Sequence, residues 1–372
     1  MYLLDSPDDN LTRPILTALD HHLAVEGILE GTVPARIYVD NPEHPSAVLA
    51  VASRRCFLAG DPGNEIFNQE LQRLFVETIY PPALAAGEEM FVLYYQPAAW
   101  TEALEQILED KYPLFTQRQY YQFKELKNDW RSILPENFEL RLADRDILAD
   151  PLIKNPDFLT EEMCSERESV EDFLQNSFGL CLVHDHEIVG WCLSEYNRAD
   201  GCEIGIAVRQ PYQHRGFATL MASAFIEYAL SQGITRIGWH CYTSNLPSVA
   251  TALKVGFEKV ADYPILLAWF KQADALAVQG DACFDKHQYT EALAWLEKAL
   301  ALGQSQGWAF WVAACSAAMV GQREKAFIYL SQAVEAGFAD KERIKRSPYL
   351  VSLHDHPDWQ LFGMIDSTKA PT

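Results

Sequence analysis

The sequence predicts an α/β (α+β) fold, in which a mixed sheet has flanking helices, followed by an all-α region. Up to Phe270, short apolar runs rich in β-branched residues alternate with amphipathic helical stretches, as in proteins whose helices pack on one sheet. Two of these stretches share the order strand, helix, strand, helix, so we expect two similar halves in tandem. Beyond Phe270 the sequence is rich in Ala, Leu and Gln, and its apolar positions recur at a longer interval. This pattern predicts a helical repeat.

The composition bounds the class of protein. The chain has 372 residues, 49% apolar and 22% charged, so it can bury sizeable cores in two or three domains. Its eight cysteines are scattered without a CxxC pair, and no histidine cluster has metal-ligand spacing, so neither disulfides nor a metal are expected. The opening residues lack the features of a signal peptide, and no apolar run approaches the roughly 18 to 20 residues that cross a bilayer. We therefore expect a cytoplasmic protein with no membrane partner.

The charge balance is strongly acidic. Asp and Glu number 52 against 30 Lys and Arg, which gives a net charge of -22. This charge repels nucleic acid and anionic lipid, so we expect no nucleic-acid partner. It would concentrate a cationic substrate near the surface, although it could also serve solubility alone.

A strand, a glycine loop, a helix and a second strand follow one another between residues 201 and 242. GCEIGIAV (201–208) and ITRIGWHCY (234–242) are short apolar runs, which indicate strands. The helix between them has an apolar stripe and ends at Gly233. Its stripe contains Leu220, Met221, Ala224, Phe225, Tyr228 and Ala229. Upstream, residues 178–197 predict a hairpin of two strands joined by the polar turn HDHE.

The loop before this helix has the chemistry of an anion site. A helix that begins at Gly216 presents unpaired N–H groups and the positive end of its dipole, which together suit a phosphate or pyrophosphate. Glycine lets an anion approach the main chain, and Ala218 keeps the next turn uncrowded. His214 and Arg215 could add positive charge. A glycine at a strand-to-helix turn is also what a plain tight turn uses, so the neighbouring residues must decide.

Two motifs around this loop resemble those of the GNAT superfamily of N-acetyltransferases. QHRGFA (213–218) matches Q/R-x-x-G-x-G/A, the acyl-CoA pyrophosphate loop of that superfamily. NLPSVATALKVGF (245–257) is similar to its N-x-x-A…K-x-G-F segment, with Asn245, Ser248, Lys254, Gly256 and Phe257 in register. The sequence around WHCYTSN, together with a long N-terminal half, most resembles the zwittermicin A resistance family of GNAT acetyltransferases.

The resemblance implies an acetyl-CoA site with no metal. The strand ending at Val208 would splay from its neighbour at 234–241, and its main-chain groups around Ile206 would bond the pantetheine arm. The N–H groups of residues 214–219 would hold the pyrophosphate, and Asn245 would lie near the thioester. The implied cofactor-binding residues are Ile206, Ala207, Val208, Gln213, His214, Arg215, Gly216, Phe217, Ala218, Thr219 and Asn245.

The resemblance also implies a reaction in a ternary complex, in which a neutral amine attacks the thioester directly. Glu203 is the first candidate for the base, because it lies about where some GNAT enzymes place a catalytic glutamate. It could instead bind a cationic substrate or serve structural pairing. His240 is the second catalytic candidate, although a lone histidine on a strand is more often structural.

One position departs from the family pattern. Many GNAT enzymes carry a tyrosine seven residues after the motif asparagine, where it can protonate the leaving thiolate, and this chain has Ala252 there. The usual general acid is therefore absent. Tyr242 or Tyr263 could substitute, and a CoA thiolate can also leave without an acid.

We expect a degenerate GNAT-like domain over residues 1–135, before the catalytic domain at 136–270. A strand at 46–60, a helix at 64–87, a strand at 89–95 and a helix at 98–108 parallel the order found between 203 and 256. The turn GDPGNE (60–65) lacks the Gln and Arg, and its two acidic residues would repel a pyrophosphate. This half is expected to shape the amine site, although an α/β domain of other ancestry would have a similar pattern.

A tetratricopeptide (TPR)-like domain is expected over residues 272–372. Ala292, Leu296 and Ala299 recur 34 residues later as Ala326, Leu330 and Ala333. Leu276 and Gly280 are followed at the same interval by Phe310 and Ala314, and residues 341–362 would form a helical cap. Such a solenoid could bind a peptide or another subunit, or it could dock on the catalytic domain.

Three functions fit these features. The first is an acetyl-CoA-dependent N-acetyltransferase that acts on the primary amine of a small cationic molecule. The second is a protein N-acetyltransferase whose TPR-like domain recruits the substrate. The third is a non-catalytic acyl-CoA-binding scaffold, which the alanine at 252 suggests.

Overall fold

The computed structural model describes residues 1–4, 9–303, 306–338 and 341–360. The strands in these residues are β1 (Tyr2–Leu4), β2 (Arg36–Val39), β3 (Ala47–Ala52), β4 (Arg55–Gly60), β5 (Met90–Gln96), β6 (Leu114–Phe123), β7 (Glu139–Leu142), β8 (Gly179–His184), β9 (Glu187–Glu195), β10 (Gly201–Val208), β11 (Arg236–Tyr242) and β12 (Phe257–Trp269). The helices are α1 (Asp9–Leu16), α2 (Leu23–Leu29), α3 (Glu65–Arg73), α4 (Tyr80–Ala86), α5 (Trp100–Ile107), α6 (Arg145–Ala149), α7 (Asp157–Glu166), α8 (Val170–Asn176), α9 (Phe217–Ser231), α10 (Leu246–Val255), α11 (Gln272–Asp285), α12 (Tyr289–Ala301), α13 (Gly307–Met319), α14 (Arg323–Glu335) and α15 (Lys341–Arg346). None of these described helices is both long and apolar enough to span a bilayer.

The chain divides into two compact units that interleave along the sequence. The first unit comprises residues 1–61, 94–98 and 116–265, and the second comprises 62–93, 99–115 and 266–372. The domains predicted at 1–135, 136–270 and 272–372 were defined by changes in the pattern of the sequence and not by contacts. These boundaries stay a prediction.

The first unit is built on a mixed sheet, as predicted. Its strand order is β1-β2-β3-β4-β5-β12-β6-β11-β10-β9-β8-β7, and β5 and β12 each have residues in both units. β10 and β11 are parallel, whereas β8, β9 and β10 are successively antiparallel. Helix α9 packs on this sheet, and its buried Leu220, Met221 and Phe225 belong to a core that also contains Trp239 of β11.

The predicted hairpin at 178–197 is confirmed. β8 and β9 pair antiparallel, and the two turn residues Asp185 and His186 have positive φ angles of 50° and 64°. Asp and His are among the non-glycine residues that adopt this left-handed conformation most readily.

The predicted single strand over 46–60 is wrong, because β3 and β4 form a second hairpin there. Its turn has no glycine, asparagine or proline, and Ser53 adopts a φ of 51° instead. The chain leaves β4 at Gly60, where a Cβ atom would meet the carbonyl oxygen of Ser46 at 2.1 Å. The side chain of Asn64 then accepts a hydrogen bond from the N–H of Phe67 and caps α3. Gly60 therefore allows two backbone segments to approach closely. The side chain of Asn64 occupies the start of α3, where an anion would otherwise bind.

The predicted helix over 64–87 is confirmed, with a π-helical segment, Leu74–Ile79, between α3 and α4. The sequence analysis did not identify β6. This strand precedes the predicted boundary at 135, yet it pairs antiparallel with β11, with Arg118 opposite Tyr242 and Tyr120 opposite His240.

The second unit contains the all-helical C-terminal region. Helices α11 to α14 form two successive helix pairs, and Ala292, Leu296 and Ala299 are fully buried, as are Ala326, Leu330 and Ala333. The helical region is as predicted, and its kinship with tetratricopeptide repeats stays a prediction. Residues 361–362 of the expected cap lie outside the described residues.

Candidate active site

Helix α9 begins at Gly216 with its first-turn N–H groups available to a ligand. Gly216 has a φ of 82°, a left-handed conformation that favours glycine, and no side chain caps the helix. The first helical hydrogen bond runs from the N–H of Leu220 to the carbonyl of Gly216, so the N–H groups of Phe217, Ala218 and Thr219 have no partner within the helix. A Cβ atom built at Gly216 would contact nothing within 4 Å, so the loop is open on the side that an anion would approach.

A cavity of about 400 Å³ lies over this helix start, and we name it the loop cavity. It is lined by the end of β10, the loop at 212–219 and the start of α10. All of the predicted cofactor-binding residues line it except Arg215. The guanidinium of Arg215 instead lies over the rings of Phe217 and Phe138, 4.9 Å and 5.4 Å from their centroids. The Gln213 side chain donates a hydrogen bond to the carbonyl of Val208, which ties the loop to the strand end.

β10 and β11 separate at the point where the loop cavity begins. The two strands pair in parallel at Gly201–Arg236, Cys202–Ile237 and Glu203–Gly238. Both strands are fully described, and they form no further pairs with each other. From Ile204 to Val208, β10 still pairs with β9 but no longer with β11. The splay that we predicted is therefore present, and it opens toward Ile206 and Val208.

A second cavity, of about 360 Å³, lies at the same splay, and we name it the histidine cavity. Its wall includes both catalytic candidates, Glu203 and His240. Residues before position 135 also line it, among them His22, Arg55, Phe57, Tyr94 and Arg118. The histidine cavity and the loop cavity share Ile206, Trp239, Asn245 and Ser248, so they meet between the separating strands.

Asn245 and Trp239 fix the junction of the two cavities. The Asn245 side chain accepts a hydrogen bond from the N–H of Ser248 and caps α10. The Trp239 indole donates a 3.0 Å hydrogen bond to the Ser248 hydroxyl. The start of α10 is therefore held against β11 where the cavities join.

Glu203 is buried and held as a carboxylate. Its Oε1 accepts a 2.8 Å hydrogen bond from the N–H of Leu23, the first residue of α2, and lies 3.5 Å from Nε2 of His240. Burial raises the pKa of Glu203, but the His240 ring, the Leu23 N–H and the Arg55 guanidinium outweigh it and lower the pKa below its ordinary value.

His240 links Glu203 to a tyrosine and to a second histidine. Its Nδ1 forms a 2.7 Å hydrogen bond with the hydroxyl of Tyr263. Its ring stacks on that of His22, with centroids 4.9 Å apart and an interplanar angle of 11°. Nε2 of His240 and Nε2 of His22 are both buried without a hydrogen-bond partner among the described residues. Nε2 of His240 faces the Glu203 carboxylate instead, at 3.5 Å.

His21 and His22 are site residues that the sequence analysis missed. Burial, followed by repulsion from His240, lowers the pKa of His21 to about 4 and that of His22 well below its ordinary value. Both rings are therefore neutral at pH 7. The HH pair immediately before a helix was a signal in the sequence, but nothing local connects it with Glu203, which is 180 residues from Leu23.

The comparisons with known proteins agree with this geometry. The family model described as GNAT acetyltransferase matches residues 13–266. This chain belongs to that family. The GNAT acetyltransferase is 28% identical over 243 residues to a Bacillus subtilis (strain 168) protein named "Uncharacterized N-acetyltransferase YdfB", covering 65% of this chain and 88% of that one. A crystal structure of a GCN5-related N-acetyltransferase-like protein from Streptococcus suis 89/1591 has the same fold, with a TM-score of 0.50 and 24% identity over 68% of this chain and 98% of that chain.

Members of the GNAT family use acetyl-CoA as co-substrate, and the loop cavity fits its diphosphate. The open side of Gly216 and the unpaired N–H groups after it form the cradle that such an anion requires. Ala252 is fully buried in the core, so it supplies no acid. Tyr242 lines the histidine cavity, whereas Tyr263 is not among the residues described along its wall.

Among the described residues of this GNAT acetyltransferase, one group of side chains has metal-binding chemistry. Single ligand atoms of His22, Glu203 and His240 lie within 4.8 Å of one another. Two imidazoles and a carboxylate are a donor set that divalent zinc or iron accepts. The sequence predicted no metal.

Proposed function

We propose that this chain is an acetyl-CoA-dependent N-acetyltransferase that acetylates the primary amine of a small molecule by direct attack in a ternary complex. One observation carries the proposal: the loop cavity and the histidine cavity meet at Ile206, Trp239, Asn245 and Ser248. A donor in the first cavity and an acceptor in the second would bring their reacting atoms together at this junction. Such positioning is the main contribution that an acyl-transfer enzyme makes to a two-substrate reaction.

The donor half of the proposal rests on α9 and β10. The diphosphate of acetyl-CoA would accept hydrogen bonds from the N–H groups at the start of α9. The main chain of β10 beyond Glu203 has no partner on β11, so the amide groups of the pantetheine arm would pair with it. The thioester would then lie beside Asn245.

The acceptor half rests on Glu203 and His240. The amine reaches the cavity as a cation, and the ionised Glu203 attracts it. The amine must lose a proton to become nucleophilic, and the proton passes to Glu203 or to His240, directly or through water. The nitrogen then bonds to the thioester carbon and the C–S bond breaks, so that the CoA thiolate leaves. Of the two tyrosines that could replace the usual acid, Tyr242 lines the cavity, as Tyr94 and Tyr196 also do, and we propose that it protonates the thiolate.

The proposed acceptor is a small cationic amine, as the resemblance to the zwittermicin A resistance family suggested. A cavity of about 360 Å³ suits a small molecule, since ligand pockets generally measure roughly 300 to 1,000 Å³. The net charge of -22 would favour the approach of a cation from solvent.

Two measurements test the proposal. Isothermal titration should show acetyl-CoA binding, and no binding would contradict the acyltransferase function altogether. CoA release should then be followed with a panel of small amines and lysine-containing peptides. Turnover of small amines, with intersecting double-reciprocal lines when both substrates are varied, is the expected result. Turnover of peptides alone would instead indicate a protein acetyltransferase, and binding without turnover of any amine would indicate a scaffold.

A further inference from the structure

Arg118 is a partly buried cation on the wall of the histidine cavity. It lies on β6, opposite Tyr242 of β11, and its guanidinium lies 5.2 Å from the centroid of the Tyr242 ring. One terminal nitrogen donates a 3.2 Å hydrogen bond to the Tyr94 hydroxyl, and the other donates a 3.1 Å hydrogen bond to the main-chain oxygen of His240. These contacts fix the guanidinium beside the second catalytic candidate.

Within the described part of the chain, Arg118 forms no direct ion pair with a carboxylate, and Glu195 acts on it from a greater distance. Among the described residues no Asp or Glu oxygen lies within 4.0 Å of its nitrogens, whereas Arg236 and Arg198 of the same unit both pair with Glu26. Both groups that Arg118 contacts through hydrogen bonds, a phenol and a peptide carbonyl, are neutral. Burial disfavours the charge of Arg118, and nearby groups that include Glu195 on the same wall offset this and raise its pKa, so the guanidinium stays charged. A charged guanidinium with no direct ion pair can still bind an anion.

The contacts of Arg118 place this charge close to the proposed reaction. Side chains of residues 118 and 120 project from the same face of β6, and Tyr120 stacks on the His240 ring at 4.7 Å between centroids. Along a strand, residues two apart are separated by roughly 7 Å. An anion on Arg118 and an amine at Glu203 and His240 are therefore within the span of one small molecule.

We propose that the acceptor carries a carboxylate as well as its amine, and that Arg118 binds this carboxylate while Glu203 and His240 receive the amine. The planar guanidinium matches the planar carboxylate through parallel N–H···O bonds, which a lysine could not form in the same geometry. Short amino acids, in which few bonds separate the two groups, are the class that fits. Their ammonium group is the cationic amine of the proposed function, and the carboxylate makes the whole molecule a zwitterion. This proposal rests on the proposed N-acetyltransferase function.

The test compares carboxylates with their amides. CoA release is measured with the L-amino acids and with the matched L-amino-acid amides, in the wild-type protein and in Arg118→Gln and Arg118→Lys. The best amino acid should exceed its amide in kcat/KM by roughly 10- to 100-fold in the wild type, because the amide removes the charge-assisted pair. Arg118→Gln should bring this ratio close to one by weakening the amino acid selectively, and Arg118→Lys should keep part of it.

A binding measurement makes the result independent of turnover. N-acetyl-L-amino acids, the products of the proposed reaction, are titrated in the presence of CoA against their amides. Arg131→Gln, which removes an exposed arginine paired with Glu227, is the matched control and should leave both ratios unchanged. Equal performance of acids and amides in the wild-type protein would overturn the carboxylate proposal and leave the acetyltransferase function intact. Equal losses for acid and amide in Arg118→Gln would make Arg118 a structural residue and overturn it as well. Turnover of no amine, despite selective binding of the N-acetylated acids, would contradict the proposed function alone.

Discussion

The N–H of Leu23, at the start of α2, donates a 2.8 Å hydrogen bond to Oε1 of Glu203 on β10. A short helix in the first 30 residues therefore orients the candidate base of a site whose motifs lie after residue 200. The same helix is held from its other side by Glu26, whose two carboxylate oxygens each lie 2.8 Å from a terminal nitrogen of Arg236 on β11. Residues near the N-terminus therefore contact the candidate base, and the expectation that this half of the chain shapes the amine site stays a prediction.

Glu203→Gln should lower turnover without unfolding the protein. The glutamine oxygen can still accept the Leu23 hydrogen bond, but it can neither take a proton nor hold an ammonium group. If Glu203 is the base, kcat should fall by roughly 100- to 10,000-fold. Steady-state CoA release and the melting temperature check this, with Glu227→Gln on the surface as the matched control. An unchanged rate at pH 7 would remove Glu203 as the base, and a rise in KM alone would make it a substrate contact.

The buried histidines should make the stability depend on pH. The pKa of His21 is lowered to about 4 in the folded protein, whereas an unfolded histidine titrates near 6.5. Between these values the unfolded chain binds a proton that the folded one does not, so stability falls as the pH drops from about 6.5 toward 4. We expect the melting temperature to be several degrees lower at pH 5 than at pH 7.

His21→Gln should reduce this difference in melting temperature, and His44→Gln, at an exposed histidine, should not. His22, whose pKa is also lowered, keeps the rest of the effect in the first variant. Identical pH dependence in the wild-type protein and in His21→Gln would show that His21 is not held neutral by burial.

The sequence predicted those parts of the site that are continuous along the chain. The segment from Gly201 to Phe257 contains two strands, the glycine turn and helix α9, which short-range rules of period and turn chemistry identify. The splay of the strands and the position of Asn245 were implied by the resemblance to the GNAT superfamily. His22 and Arg118 were missed, because only long-range contacts bring them to Glu203. His22 precedes α2, whose first N–H binds Glu203, and Arg118 lies on β6, which pairs with β11. Strand β6 is an example. Its position between β11 and β12 depends on which strand edges are free in the folded sheet, and no local sequence pattern predicts this.

Gly216→Glu should abolish acetyl-CoA binding. A carboxylate at this position would occupy the open side of the loop and repel the diphosphate, besides straining a backbone at a φ of 82°. Gly233→Glu is the matched control, because Gly233 lies beyond the other end of α9, has a φ of 84° and is likewise open. Both variants should lose similar stability, on the order of 1 kcal/mol, but only Gly216→Glu should lose binding in isothermal titration. If both bind acetyl-CoA equally well, the diphosphate does not lie at the start of α9.

Removal of metal ions should leave turnover unchanged, although His22, Glu203 and His240 have the donor set of a metal site. Zinc bound at about 2.0 to 2.1 Å to its ligands holds neighbouring donor atoms roughly 3.3 to 3.5 Å apart, which is closer than the 4.8 Å within which all three ligand atoms lie here. The His22 and His240 rings are stacked nearly parallel, and Glu203 already accepts the Leu23 N–H. We therefore expect dialysis against a chelator to leave kcat and the melting temperature as they were, and added Zn²⁺ to inhibit if it binds at all. If the chelator abolishes activity and Zn²⁺ or Fe²⁺ restores it, this prediction is wrong. His22, Glu203 and His240 would then coordinate a metal ion, and Glu203 would act as a metal ligand and not as the base.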